Sequence, residues 1–191
     1  MLKQRLFIAV YPPPDAVADL AAVASRLAFN RPHADGLSLR PVPPWQWHIT
    51  LAFLGEITPE QAGSACTAMT AVADRPAPVL RLGGGGRFDN GRASAVWAGV
   101  RGDLAALHEL TERLRRELSA AAVPFDPRPY QPHLTLARPG ERLEPDELRE
   151  VLDRLDAYAG PSWPADRIVL MRSDHPVSND YTEVFAAPLP G

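Results

Sequence analysis

The amino-acid sequence predicts an α+β protein of two similar lobes, with mostly antiparallel sheets lining a central cleft and helices outside. Three observations lead there. An eight-residue stretch is written twice, short apolar runs with strand character alternate with helical patterns, and several strand pairs are joined by turns too tight for parallel crossovers. His48-Ile49-Thr50-Leu51-Ala52-Phe53-Leu54-Gly55 returns 85 positions later as His133-Leu134-Thr135-Leu136-Ala137-Arg138-Pro139-Gly140, identical at the His, Thr, Leu, Ala and Gly positions. Strand alternation puts His and Thr on one face of each copy, roughly 6–7 Å apart. Each copy is approached through prolines and followed by a helical pattern, so the two are read as facing walls of one groove.

Taken in order, residues 5–10 form a compact apolar run suited to a central strand. Tyr11-Pro12-Pro13-Pro14 ends it, because proline lacks the amide donor a ladder needs. Residues 15–27 are alanine-rich, with apolar positions at 17, 20, 23, 24 and 27, which predicts a helix started by those prolines. Residues 30–36 read as an exposed loop with a solvated His33, and 37–42 as a short strand. Pro43-Pro44-Trp45-Gln46-Trp47 then leads into the first repeated strand. Thr58-Pro59-Glu60 is a helix start, Thr as cap and Pro in the first helical position, and that helix runs to about residue 73.

Residues 78–82 have a strand pattern and run into Gly83-Gly84-Gly85-Gly86. No Lys-Ser/Thr follows and the next element is a strand, so a phosphate loop is rejected and a bulged or flexible edge is expected. Asn90-Gly91 signals a hairpin turn into a strand over 93–100. Leu104, Leu107, Leu110, Leu114 and Leu118 mark an amphipathic helix over 103–122 with Asp103 as its cap and His108 on its polar side. A proline-rich approach over 124–132 leads to the second repeated strand, and Leu148, Val151, Leu152 and Leu155 give a helix over 145–157 an apolar face. Strands over 167–172 and 181–186 flank a polar turn with an exposed His175.

At 191 residues the chain is long enough to bury a sizeable core as a single domain, 1–191, made of two small lobes. A single cysteine, Cys66, excludes an internal disulfide; it sits in an apolar helical pattern and is read as packing. The apolar run near the N-terminus is too short for a membrane span and lacks a cleavage pattern, so a soluble cytoplasmic protein is expected. A formal net charge of −3 argues against a grip on duplex DNA, while a short RNA end or a nucleotide needs only a few local arginines. Lys3 is the only lysine, and the planar guanidiniums that make up the other cations suit phosphate. No seam or heptad pattern calls for a dimer, so a monomer is expected.

Four readings compete for His48, Thr50, His133 and Thr135. A structural coincidence is disfavoured by the duplication. A metal site fails on numbers, since the strands bring two imidazoles but no Asp, Glu, Cys or third His to complete a first shell. A serine-hydrolase triad lacks a nucleophile elbow. Acid–base catalysis by a histidine pair fits best: in-line displacement at phosphorus needs one group to take a proton from the attacking water and another, opposite, to protonate the departing oxygen. The threonine hydroxyls would donate to the non-bridging oxygens. Strand alternation points Arg138 to the face opposite His133, so it is either a lobe-surface residue or, if the strand twists or ends there, a phosphate contact. Trp45 and Trp47 flank the groove and are either core or a stacking surface for a base.

His48 to Gly55, and Pro129-Tyr130-Gln131-Pro132-His133-Leu134-Thr135-Leu136-Ala137-Arg138, resemble the two signature motifs of the 2H phosphoesterase superfamily. The closer resemblance is to its RNA 2′,3′-cyclic phosphodiesterase branch, historically called 2′-5′ RNA ligase, and it extends to residues 6–10, 97–100, 168–173 and Tyr181. The resemblance implies two lobes related by a pseudo-twofold axis, no metal or other cofactor, and hydrolysis of a terminal 2′,3′-cyclic phosphate on RNA to a 2′-phosphomonoester. It also implies His48 as proton donor, His133 as proton acceptor, and Thr50, Thr135 and Arg138 as phosphate-binding residues, with Tyr130 a further stacking candidate. Gln131 departs from the pattern, since many members carry His there. A phosphodiesterase acting on small cyclic nucleotides or 2′-5′ oligonucleotides, reverse 2′-5′ ligation, and a non-catalytic RNA-end-binding module are the alternatives.

Overall fold

The computed structural model describes residues 3–30, 40–89, 94–138, 143–173 and 180–191. The first half of the chain gives β1 (Gln4–Val10), α1 (Pro14–Ala24), β2 (Arg40–Pro41), β3 (Ile49–Ile57), α2 (Pro59–Val72) and β4 (Val79–Phe88). The second half gives β5 (Ala95–Gly102), α3 (Leu104–Ala120), β6 (His133–Arg138), α4 (Pro145–Asp156), β7 (Trp163–Pro164), β8 (Arg167–Ser173) and β9 (Tyr181–Pro188). The helices begin where the sequence puts them. Thr58 accepts from the Gln61 amide while the Gln61 side chain accepts from the Thr58 amide, and Asp103 caps α3 by accepting from the Ala106 amide. The predicted loop with His33, the Asn90-Gly91 turn and the turn with His175 lie outside the described residues, as does the first half of the predicted strand over 37–42, whose second half includes β2.

One sheet runs β7-β4-β5-β6-β3-β1-β8-β9, with β2 beside β6, and every pairing in it is antiparallel. Leu6, Ile8 and Val10 of β1 join Leu20 of α1, Met69 of α2, Leu107 and Leu114 of α3 and Leu155 of α4 in one buried core. Phe7 and Ala9 point the other way and pack with Val169 and Met171 of β8. The helices therefore back one face of the sheet, and the opposite face is left to form the cleft.

The strand order is symmetric about its centre. Chain order matches β1, β3, α2, β4 with β5, β6, α4, β8, and in the sheet β3 lies beside β6, β1 and β5 lie outside them, and β8 and β4 lie outside those. Each half thus sends its last strand across: β4 pairs with β5 of the second half, and β8 pairs with β1 of the first. At the seam, β3 and β6 share one paired position, Ile49 opposite Leu134.

The four-glycine tract is bulged as expected, between Leu82 and Gly85, but it is no edge: β5 pairs along it and Gly83 bridges to Ala159. The reason for glycine is close approach. A Cβ at Gly85 would stand 2.7 Å from Leu155 Cβ of α4, one at Gly83 would stand 2.8 Å from the Tyr158 carbonyl oxygen, and one at Gly86 would collide with the Trp97 indole.

Candidate functional site

The two repeated strands carry the same irregularity. Along β1, the partner of Ile8 is Ala52 and that of Ala9 is Thr50, so Leu51 is an extra residue in β3. Along β5, the partner of Val96 is Ala137 and that of Trp97 is Thr135, so Leu136 is an extra residue in β6. Each bulge sends two successive residues into the core: Leu51 with Ala52, and Leu136 with Ala137. Alternation is then inverted, and the sixth residue of each motif, Phe53 or Arg138, returns to the face of the His and Thr. Alternation alone puts Arg138 on the opposite face; the bulge overturns this. An Arg138 guanidinium N–H donates to Thr135 Oγ1 at 3.4 Å.

His48, Thr50, Phe53, His133, Thr135 and Arg138 line one cavity of about 300 Å³. Each imidazole is clasped by the carbonyl two residues before it. His48 Nδ1 lies 2.6 Å from the Gln46 oxygen and His133 Nδ1 lies 2.7 Å from the Gln131 oxygen. A carbonyl can only accept, so both Nδ1 atoms carry the proton and both Nε2 atoms are free for chemistry.

Aromatic rings surround both histidines. Phe7 stacks on His48 with centroids 4.7 Å apart, and Tyr181 meets it edge-on at 5.5 Å. Phe88 meets His133 edge-on at 4.7 Å, with Trp97 at 6.0 Å. Burial disfavours the charged imidazolium and pushes His48 down to about 4, against the clasp of the Gln46 carbonyl and with a smaller push from His133 and Arg138. His133 is also lowered by burial, and then by Arg138 and Arg128, against the Gln131 carbonyl. Burial thus favours the uncharged form of both rings at neutral pH, and Arg138 supplies positive charge beside them. Among the described residues no three His, Cys, Asp or Glu side chains gather into a metal-ligand set, and no helix is long and apolar enough to cross a membrane.

The tryptophans part company. Trp47 is 3% exposed and its indole N–H donates to the Val42 carbonyl at 2.8 Å, so it is core and offers no face to a base, a correction to the stacking expectation. Trp45 is 78% exposed on the turn Pro44–Gln46, whose next residues reach the cleft wall. Tyr130 is partly buried, covered by the Arg115 guanidinium and met edge-on by His108, which is itself half-buried and not a free surface residue. Sequence reasoning missed Arg5, Phe7 and Phe53 as cleft residues. For Phe53 a signal existed, its place opposite Arg138 in the repeat; Arg5 and Phe7 sit on a strand that reads only as core.

A helix-backed antiparallel sheet whose two central strands each offer a His and a Thr to one cleft defines the class of bilobal two-histidine proteins. The 2′-5′ RNA ligase superfamily matches residues 12–176, and the chain belongs to that family. A Geobacillus stearothermophilus protein named RNA 2′,3′-cyclic phosphodiesterase is 34% identical over 176 residues, covering 87% of this chain and 54% of the relative, so the chain spans about half of that relative's length. A Thermus thermophilus protein of the same name is 31% identical over 180 residues, 89% of this chain and 82% of the relative. Among solved structures, one from Thermus thermophilus superposes with a TM-score of 0.73 at 29% identity, covering 98% of both chains. Escherichia coli LigT complexed with 3′-AMP gives 0.75 at 24% identity over 99% of both, a likeness of fold.

Proposed function

We propose that the chain, as one domain over 1–191, hydrolyses the 2′,3′-cyclic phosphate at an RNA 3′ end to a 2′-phosphomonoester, without metal. The observation that carries this is the shared cavity, in which both His–Thr pairs and Arg138 face a space fit for one nucleotide. His133 Nε2 takes the proton of a water as its oxygen attacks phosphorus. The bond from phosphorus to O3′ breaks on the far side, and His48 Nε2 gives its proton to that oxygen. Thr50 and Thr135 donate to the non-bridging oxygens, where charge builds up, and Arg138 neutralises it. His48 must enter this step protonated, which its burial disfavours; the bound phosphate anion supplies the opposite charge that holds the imidazolium. Binding and proton uptake are therefore one event.

The relatives named as RNA 2′,3′-cyclic phosphodiesterases support this reading. The protein acts as a monomer in the cytoplasm, with exposed Trp45, which precedes the cleft-lining Gln46, as the stacking residue for a base and Tyr130 as part of the wall. The cavity of about 300 Å³ also fits a small cyclic nucleotide as a second substrate class. The test is product analysis on an oligoribonucleotide ending in 2′,3′-cyclic phosphate. A 2′-phosphomonoester is expected, unaffected by EDTA, and His48→Ala and His133→Ala should each lower turnover by about 10²–10⁴-fold. Full activity in the double variant, or binding without product over long incubation, overturns the proposal, the latter in favour of a binding module.

A further inference from the structure

Thr135 has a bulky neighbour that is turned away from it. In the sheet β5 lies between β4 and β6, and Trp97 of β5 stands directly opposite Thr135 on one side and Gly86 on the other. Residues opposite one another in antiparallel strands share a face, so all three belong to the face that forms the cleft. Of the three, Thr135 alone lines the cavity. The indole leans over β4: a Cβ on Gly86 would collide with Trp97 Cζ2 and lie 2.5 Å from Cη2 and 2.7 Å from Cε2. Its six-membered ring therefore fills the volume that a side chain at position 86 would take.

No polar contact anchors the ring there. The indole N–H is buried and has no acceptor among the described residues. Shape holds it instead, with the bare backbone of Gly86 beneath, the Phe88 ring tilted against it at 5.4 Å and His133 at 6.0 Å. The other half of the molecule keeps its threonine clear by simpler means. Ala9 stands opposite Thr50, and Val169 lies beyond Ala9 in the place that Gly86 takes beyond Trp97. A side chain is tolerated at Val169 because no ring leans on it. Gly86 and Trp97 are thus a matched pair, one missing what the other fills.

We infer that Gly86 is a positioning residue for the proposed reaction, which berths the Trp97 indole over β4 and so keeps the Thr135 hydroxyl open to the phosphate. This rests on the phosphate-binding role proposed for Thr135. Gly86 acts through Trp97 and touches no substrate itself. A methyl group at position 86 displaces the indole, and the flank left to it is the one over Thr135, where the cavity is open.

The experiment measures hydrolysis of an oligoribonucleotide ending in 2′,3′-cyclic phosphate by Gly86→Ala, Trp97→Ala and their combination, per folded molecule as judged by urea unfolding. Gly86→Ala should lower kcat about 10²-fold, the effect of one lost donor to the charged oxygens. In the Trp97→Ala background the same methyl should change kcat by less than about threefold, because no indole remains to displace. Adding Thr135→Val to Gly86→Ala should cost little more, since the hydroxyl is already out of use, whereas adding Thr50→Val should multiply the losses. Where Gly86→Ala is too unstable to assay, Gly86→Ala/Trp97→Phe, with its smaller ring, replaces it in these comparisons. Three outcomes overturn the inference: a wild-type kcat in Gly86→Ala, showing that β4 gives way instead; an equal loss with and without the indole; or the same combination pattern with both threonines. Inactivity of the wild type would instead sink the function proposed above.

Discussion

His48 shows how much one side chain's surroundings can demand. The unfolded chain binds its proton near the ordinary value of about 6.5, whereas burial in the folded protein pushes it down to about 4. As pH falls the unfolded state takes up this proton first, so the stabilising contribution is whole above 6.5 and is lost on the way down to 4. The urea midpoint of the wild type should therefore drop between about pH 7 and pH 5 by more than that of His48→Asn; equal drops would show that the ring titrates normally. Thr135→Val keeps the shape of the side chain and removes its hydroxyl. It should lower kcat by about 10²-fold with little change in KM, as expected of a donor that matters most when charge accumulates, while Thr135→Ser keeps most activity. The imidazoles and hydroxyls were legible in the sequence because a rare constellation was written twice. Their aromatic collars were not, since Phe7, Phe88, Trp97 and Tyr181 reach the rings from four other strands or their ends.

At the scale of elements, alternation was a good guide until the chain broke it. Counting by twos places His133 and Thr135 together correctly and sends Arg138 the wrong way, because a bulge adds a residue that no composition signal announces. The repeat itself held the missing information: both copies have the same His-x-Thr-Leu-Ala spacing, and both bulge at the Leu. The glycine tract teaches the converse. Its departure from normal strand composition was plain, and its cause, α4 lying against β4, became visible only in three dimensions. Gly85→Ala pushes a methyl into Leu155 and should cost about 1–3 kcal/mol in urea unfolding. An unchanged midpoint would mean that α4 shifts freely.

For the whole molecule, the sequence showed two halves and a groove but not how they are joined. Pairing partners of β4 and β8 lie across the repeat boundary, and nothing local in either strand says so. The exchange means that neither half owns a complete sheet. Residues 1–93 alone keep β4 without β5 and β1 without β8, so this fragment should show no cooperative unfolding, and adding residues 94–191 should restore a folded complex. In the intact chain, far-UV circular dichroism and tryptophan fluorescence should report one coincident transition. Two separated transitions would show the lobes to be independent.

The clasp on each imidazole has a consequence for which sequences can do this work. Both Nδ1 protons are held by main-chain oxygens, of Gln46 and Gln131, and a main-chain oxygen is present whatever residue occupies the position. Ring orientation is thereby uncoupled from side-chain identity at those two sites. Substitution at position 131 therefore leaves the tautomer of His133 untouched, and the residues beside the rings can change while the working nitrogens stay aimed.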